Sequence, residues 1–282
     1  MTHENPVDVY VVGTGMVGYR QFTKEAEAAV RNSERVFLVH FQNIVESYLE
    51  DEVAAELDVA GEVELLTSEY DEGEDRGHAY ERMAERVLEG ARERDAPVTF
   101  ALYGHPMVFV SPTRFVLSRA SEEGLVTEVR PGISSVDCLY CDLELDPARN
   151  GIQMFEATDL LLREFRLTPD VPAFIWQIGT LETGLHTEAG SAPGRFTRLR
   201  EYLQEFYPED HTVYLCQTAT YPVTESEQIE FDLNEFEEIH DRVNGVQTLY
   251  VPPTRQRPTQ NEALAEKALS ADHLDVITET TE

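Results

Sequence analysis

The sequence predicts an α/β protein built in two parts. Three observations carry that expectation. Short β-rich apolar runs alternate with helix-patterned stretches over the first half, the pattern of βαβ units around a parallel sheet. A dense cluster of turn formers, Asp146-Pro147 through Asn150-Gly151, separates that half from a second set of strands and helices. Finally, 282 residues at 41% hydrophobic content suffice to bury a core. The expected units are residues 1–149, residues 150–270 and a flexible acidic tail over residues 271–282.

In order, strands are expected at Val7–Val12, Arg35–Phe41, Glu62–Leu66, Val98–Tyr103 and Val126–Val129. Helices are expected between them, at about Phe22–Arg31, Ile44–Leu57, His78–Arg94 and Thr113–Glu122. In the third helix Met83, Val87, Leu88 and Ala91 recur at helical spacing. Ser134 and Ser135 are natural N-cap residues for a helix running to about Cys141. The second half offers strands at Ile152–Phe155, Ala173–Ile178, Thr212–Cys216 and Thr248–Val251. Its helices fall at Phe196–Phe206, Leu233–Val243 and Asn261–Leu269, and Thr187–Arg195 reads as a loop.

Charge narrows the function classes. The chain carries 54 Asp and Glu against 22 Lys and Arg, a formal net charge of −32. Only Lys24 and Lys267 are lysines. Nucleic acid and anionic membrane surfaces are excluded as default partners, because both need clustered cations. An acidic surface spread along the whole chain and almost free of lysine suits a salt-rich cytoplasm, where carboxylate repulsion is screened. No stretch is long and apolar enough to span a membrane, and the start of the chain lacks a basic targeting region. Three cysteines are too few for a disulfide framework.

Several motifs bear on chemistry. Gly13–Gly18 spells G-x-G-x-x-G after the first strand, the dinucleotide fingerprint. The second strand ends at His40-Phe41-Gln42-Asn43 with no acid to hold a ribose, so nicotinamide binding is disfavoured. A turn that needs glycine and a turn that passes close to a bound molecule remain equal readings. Cys138 and Cys141 lie one helical turn apart, expected to face the core, and have no second pair with which to hold a metal. None of the histidines has metal-ligand spacing. The loops Tyr103-Gly104-His105-Pro106 and Pro131–Ser135 each follow a strand, where open α/β sheets bind ligands.

The G-x-G turn, the YGHP loop and the PGISS loop, in that order and at these separations, resemble the tetrapyrrole methylase family of S-adenosylmethionine-dependent methyltransferases. His105 stands where that family usually has an aspartate. Tyr103–Pro112, Pro131–Asp142, Glu156–Arg163, Trp176–Gly179 and Asn244–Pro253 further resemble its borosin-type branch of peptide backbone N-methyltransferases. The resemblance runs from about Val7 to Leu269. It implies two α/β domains with the cofactor cleft between them. Tyr103, His105, Val108, Phe109 and Ser135 would lie along the cofactor, met by Gln177, Ile178, Gly245, Val246 and Thr248 from the second domain.

The segment Tyr70–Tyr80 resembles the borosin segment that lines the peptide site, with Tyr70, Arg76 and Tyr80 at matching positions. Arg76 and Tyr80 are four apart at a helix start and share a face. A nearby guanidinium favours a phenolate and would lower a tyrosine's pKa. The resemblance therefore implies Tyr80 as proton acceptor, Arg76 polarising the amide and Tyr70 assisting. Thr67 falls where the family has a further tyrosine, and the dense local carboxylates compete for Arg76.

The expected function is methylation of backbone amides in a peptide supplied in trans, since residues 274–282 are too short to reach back into a cleft. The alternatives are C-methylation of a tetrapyrrole or other small molecule, and a non-catalytic ligand-binding protein on this scaffold. Family members are commonly homodimers, and a cytoplasmic homodimer is expected here.

Overall fold

The computed structural model describes residues 6–40, 61–93, 96–221 and 224–279. The helix expected at Ile44–Leu57 lies outside the described residues.

The first sheet has strand order β3-β2-β4-β1-β5, every pair parallel. Its strands are β1 (Val9–Gly13), β2 (Arg35–Val39), β3 (Glu62–Leu65), β4 (Val98–Leu102) and β5 (Thr127–Arg130). Strand alternation sorts side chains to two faces. Val12, Val36, Leu38 and Ala101 meet helix α1 (Lys24–Arg31) through Ala26, Ala29 and Val30. Val9, Val11, Phe37, Val39, Phe100 and Leu102 meet α2 (Arg76–Arg92) and α3 (Ser111–Glu123) on the other face. The central strand β4 is buried along its whole length, as a parallel strand covered on both faces must be.

Local signals set the helix ends. The Thr23 hydroxyl accepts from the Ala26 N–H and starts α1, and Asp75 caps α2 by accepting from Gly77. Gly124, in the left-handed region at φ 75°, ends α3. Helix α4 (Ser135–Asp142) begins with a capping box between Ser134 and Asp137.

The second sheet has order β6-β7-β10-β8-β9 and is mixed. It comprises β6 (Gln153–Glu156), β7 (Ala173–Trp176), β8 (Thr212–Gln217), β9 (Glu227–Asp232) and β10 (Thr248–Val251). Only the β6 and β7 pair is parallel. One face buries Ile175, Leu215, Leu249 and Phe231 against α5 (Ala157–Arg163) and α6 (Thr197–Gln204). The other face buries Phe174, Trp176, Cys216 and Tyr250 against Leu139 of α4. Helix α4 thus ties the second sheet to the end of the first.

The observed elements differ from the expected ones in three places. The Leu233–Val243 helix is two short 3-10 turns, Leu233–Glu235 and His240–Arg242, because Phe236 turns inward to stack on Phe196 at 5.0 Å. Strand β9, which the sequence reading missed, sets polar Gln228, Glu230 and Asp232 against an opposite face where Ile229 and Phe231 are buried. The segment 271–277, expected to be flexible, is helix α8 (Ala271–Ile277), preceded by α7 (Glu262–Lys267) and capped by Ser270. Among the described residues no helix is long and apolar enough to cross a membrane.

Candidate active site

The carboxyl ends of β1, β4 and β5 meet at three glycines. A Cβ on Gly13 would fall 2.4 Å from the Gly104 carbonyl oxygen and 2.8 Å from Gly132. Gly15 and Gly104 exchange backbone hydrogen bonds of 3.2 and 2.8 Å. Gly15, at φ 77°, folds the turn around Gln21, whose Oε1 accepts from the Met16 and Val17 N–H groups. The G-x-G-x-x-G motif is therefore a packing device under the site. Of that turn only Met16 lines the cavity above it.

That cavity has a volume of about 960 Å³ and lies between the two sheets. Tyr103, His105, Val108, Phe109, Ser135, Gln177, Gly245 and Val246 all line it. Ile178 and Thr248 do not. The Ile178 side chain is fully buried in the second core, and Thr248 is buried within β10. Phe109 stacks on Trp176 at 4.8 Å and 17°, and the Trp176 indole N–H donates to the Ser135 hydroxyl at 3.2 Å. Phe109 and Gln177 sit at φ 54° and 60°, a conformation that costs energy in a non-glycine residue and clusters at binding sites.

Tyr70, Arg76 and Tyr80 come together in the same wall. Tyr70 follows a 3-10 turn (Thr67–Glu69) after β3, while Arg76 and Tyr80 stand one turn apart at the start of α2. The two tyrosine rings meet edge to face at 6.1 Å, and their hydroxyls hydrogen-bond. Burial holds the Tyr80 phenol above the ordinary tyrosine range. Arg76 and the hydrogen bond from Tyr70 draw it back only in part. The expected lowering by Arg76 is thus present and outweighed, because desolvation of the phenolate is the larger effect. Burial and the neighbouring Tyr80 keep Tyr70 protonated, so Tyr70 is the donor of the pair. Burial also pushes Tyr103 up to about 12.

The carboxylates near Arg76 go elsewhere. Glu69, Asp71 and Glu74 all bind Arg82, one turn and a half further along α2. Arg76 instead donates to the Thr183 and Gly184 carbonyls at 2.8 and 3.2 Å. It is joined there by Leu185–Ser191, a wall of the cavity that the sequence marked only as a loop. His186 stacks on Tyr70 at 4.9 Å. The small residues Ala189, Gly190 and Ser191 were the available signal for this wall.

Thr67 binds the His40 carbonyl through its hydroxyl at 2.9 Å and so clamps β2 to the turn after β3. His40 also lines the cavity and escaped the sequence reading; burial lowers its imidazole to about 4. The cysteine pair is corrected in part: Cys138 is half-buried beside Gln21, and Cys141 is exposed. Burial raises the Cys138 thiol, the opposite of an activated cysteine. No cluster of three metal-ligating side chains occurs among the described residues.

Among the described lining residues only Arg76 and Glu188 belong to the formally charged types, histidines aside.

The family of tetrapyrrole (corrin/porphyrin) methylases matches residues 8–236. A methyltransferase and type II borosin cyclic peptide precursor from Phlebiopsis gigantea is 34% identical over 251 residues, 88% of this chain and 43% of that protein. A methyltransferase and dendrothelin A precursor from Dendrothele bispora is 30% identical over 265 residues, 93% of this chain and 62% of that protein. The chain spans about half the length of these curated relatives. The structure of uroporphyrin-III C-methyltransferase from Thermus thermophilus, complexed with S-adenyl homocysteine, has the same fold, with a TM-score of 0.59 at 18% identity. That likeness covers 86% of this chain and 91% of the other. The chain belongs to the tetrapyrrole methylase family.

Proposed function

We propose that the chain is an S-adenosylmethionine-dependent methyltransferase acting on backbone amide nitrogens of a peptide. The observation that carries this reading is the Tyr70, Tyr80 and Arg76 group in the wall of a large cavity whose described lining has Glu188 as its other formally charged residue, histidines aside. The curated relatives, named as methyltransferase and cyclic peptide precursor together, support it, as does the S-adenyl homocysteine held by the Thermus protein.

The cavity suits the cofactor. Its volume stands at the upper end of small-molecule sites, room for a nucleoside-sized ligand and part of a second. Phe109, Trp176, Val108 and Val246 offer apolar walls for a base, and the Ser135 hydroxyl and the open backbone at Gly245 offer polar partners. When bound, the sulfonium supplies an electrophilic methyl group, which the amide nitrogen takes as the carbon–sulfur bond breaks.

The side chains then hold the geometry and manage one proton. The amide proton passes to the Tyr80 oxygen, which must be ionised to accept it. Tyr70 donates to that oxygen, and Arg76 stands beside it as a positive charge. Burial opposes ionisation in the cleft alone, so a cation brought next to Tyr80 shifts the balance toward phenolate. A polycarboxylate tetrapyrrole would meet one arginine, already donating to two carbonyls, which makes C-methylation of such a substrate the weaker alternative.

Supply of the peptide in trans, a homodimer and a salt-rich cytoplasm belong to the same proposal. The test is to incubate the chain at high salt with S-adenosylmethionine and separate peptides, then locate added methyl groups by tandem mass spectrometry. Methyl groups on backbone nitrogens support the reading. Methylation confined to tetrapyrroles, or none with any peptide, overturns it. Sedimentation in the same buffer reads the dimer.

A further inference from the structure

Residues 183–191 form a strap from the second domain to the first, and residues 184–186 run antiparallel to residues 74–76. Arg76 N–H donates to the Gly184 carbonyl, His186 N–H to the Glu74 carbonyl, and Gly73 N–H to the His186 carbonyl, at 3.1, 2.8 and 2.8 Å. Asp75 and Leu185 form an antiparallel bridge. The Glu72 carboxylate fastens the far end, accepting from the Thr187 hydroxyl at 2.5 Å and the Glu188 N–H at 2.9 Å.

In this ladder Gly184 and His186 turn their main-chain groups toward residues 73–76. Alternation along an extended chain sends those of Leu185 and Thr187 the other way. The Leu185 carbonyl and the Thr187 N–H have no hydrogen-bond partner among the described residues. The direction they face is set by the lining. Leu185 through Ser191 line the cavity, whereas residues 71–75 do not. The acidic loop lies along one edge of the strap, and the unpaired Leu185 and Thr187 groups lie on the opposite edge, in residues that line the cavity. At the same edge Leu185 is 47% exposed, an apolar side chain at the mouth of the cavity.

We infer that this edge is where the substrate peptide docks, by strand addition. A residue of an extended peptide would accept from the Thr187 N–H and donate to the Leu185 carbonyl, with an apolar side chain against Leu185. Strand addition uses main-chain groups for affinity and leaves side-chain identity loosely specified. It also recognises the amide backbone itself, which a planar macrocycle does not offer. The inference rests on the peptide reading above and names how that substrate is held.

Proline at position 187 removes the N–H, and alanine keeps it; both remove the hydroxyl that donates to Glu72 and accepts from the Ala189 N–H. The probe is a fluorescein-labelled peptide of alternating valine and glycine, with binding read by anisotropy in the presence of S-adenosylhomocysteine. Thr187→Ala should bind within about threefold of the parent chain, and Thr187→Pro about tenfold more weakly, the loss of one main-chain hydrogen bond in a cleft. Calorimetric binding of S-adenosylhomocysteine should be equal in both. Equal peptide affinity in the two variants overturns the inference. Should the proline variant lose cofactor binding as well, the parent chain is titrated with versions of the probe carrying one ester in place of each amide in turn. At least one ester should then weaken binding about fivefold, and uniform affinity overturns the inference. A peptide that binds and is never methylated leaves strand addition standing and removes the methyltransferase reading. A parent chain that binds no peptide removes both.

Discussion

Arg76 and Arg82 lie on one helix and show how differently the cleft and the surface of this molecule are built. Arg82 gathers Glu69, Asp71 and Glu74, and similar groups follow along α2 at Arg86 with Glu64 and Glu89, and at Arg92 with Glu85 and Glu123. Arg76 meets carbonyl oxygens and a tyrosine pair. On the surface, charge is plentiful and screened by salt, so single pairs contribute little. In the cleft charge is scarce and desolvated, so one guanidinium changes what a phenol can do. Among the described residues the acids that come nearest the site are Glu188, in the cavity wall, and Glu72, which pins the strap.

The comparison breaks most severely if the floor of the cleft is disturbed. Gly13→Ala places a Cβ against the Gly104 and Gly132 backbone, with no flexible side chain to yield, and should cost about 3 kcal/mol or more. Denaturant midpoints at high salt measure it, with loss of S-adenosylhomocysteine binding expected alongside.

The buried histidine gives the next largest effect. Folded His40 takes a proton only near pH 4, whereas the unfolded imidazole does so near 6.5. Its contribution to stability is therefore full above pH 6.5 and is lost as the pH falls toward 4, by roughly 3 kcal/mol. His40→Gln should lose correspondingly less stability than the parent between pH 7 and pH 4, measured by the same unfolding titration.

The two arginines sharpen the contrast directly. Arg76→Ala should lower methylation by roughly 30-fold at any salt concentration, through loss of the charge beside Tyr80 and a looser strap. Arg82→Ala should leave the rate near that of the parent and lower the melting temperature slightly, more so in dilute salt. Equal rate losses in the two variants would show that the cleft and the surface obey one rule.

Much of this was legible in the sequence because it is local. The apolar runs of β1, β2 and β4, the Ser134 cap and the loops after β4 and β5 are written in consecutive residues. The four-residue spacing of Arg76 and Tyr80 likewise reads as one helix face. What failed depended on distant partners. Ile178 follows a strand whose neighbours line the cavity, yet its own side chain packs into the second core. Arg76 lies among carboxylates, yet they bind Arg82 because the loop at 71–74 wraps that way. The strap has no apolar pattern, and its place over the cleft is set by hydrogen bonds to residues more than a hundred positions earlier.

The central claim is that Tyr80 takes the amide proton in a cleft that binds cofactor independently of it. The most direct test compares the parent chain with Tyr80→Phe, reading peptide methylation by tandem mass spectrometry and S-adenosylhomocysteine binding by calorimetry on the same preparations. Methylation should fall about 100-fold and cofactor affinity should be unchanged. Parent-level methylation in Tyr80→Phe would contradict the account.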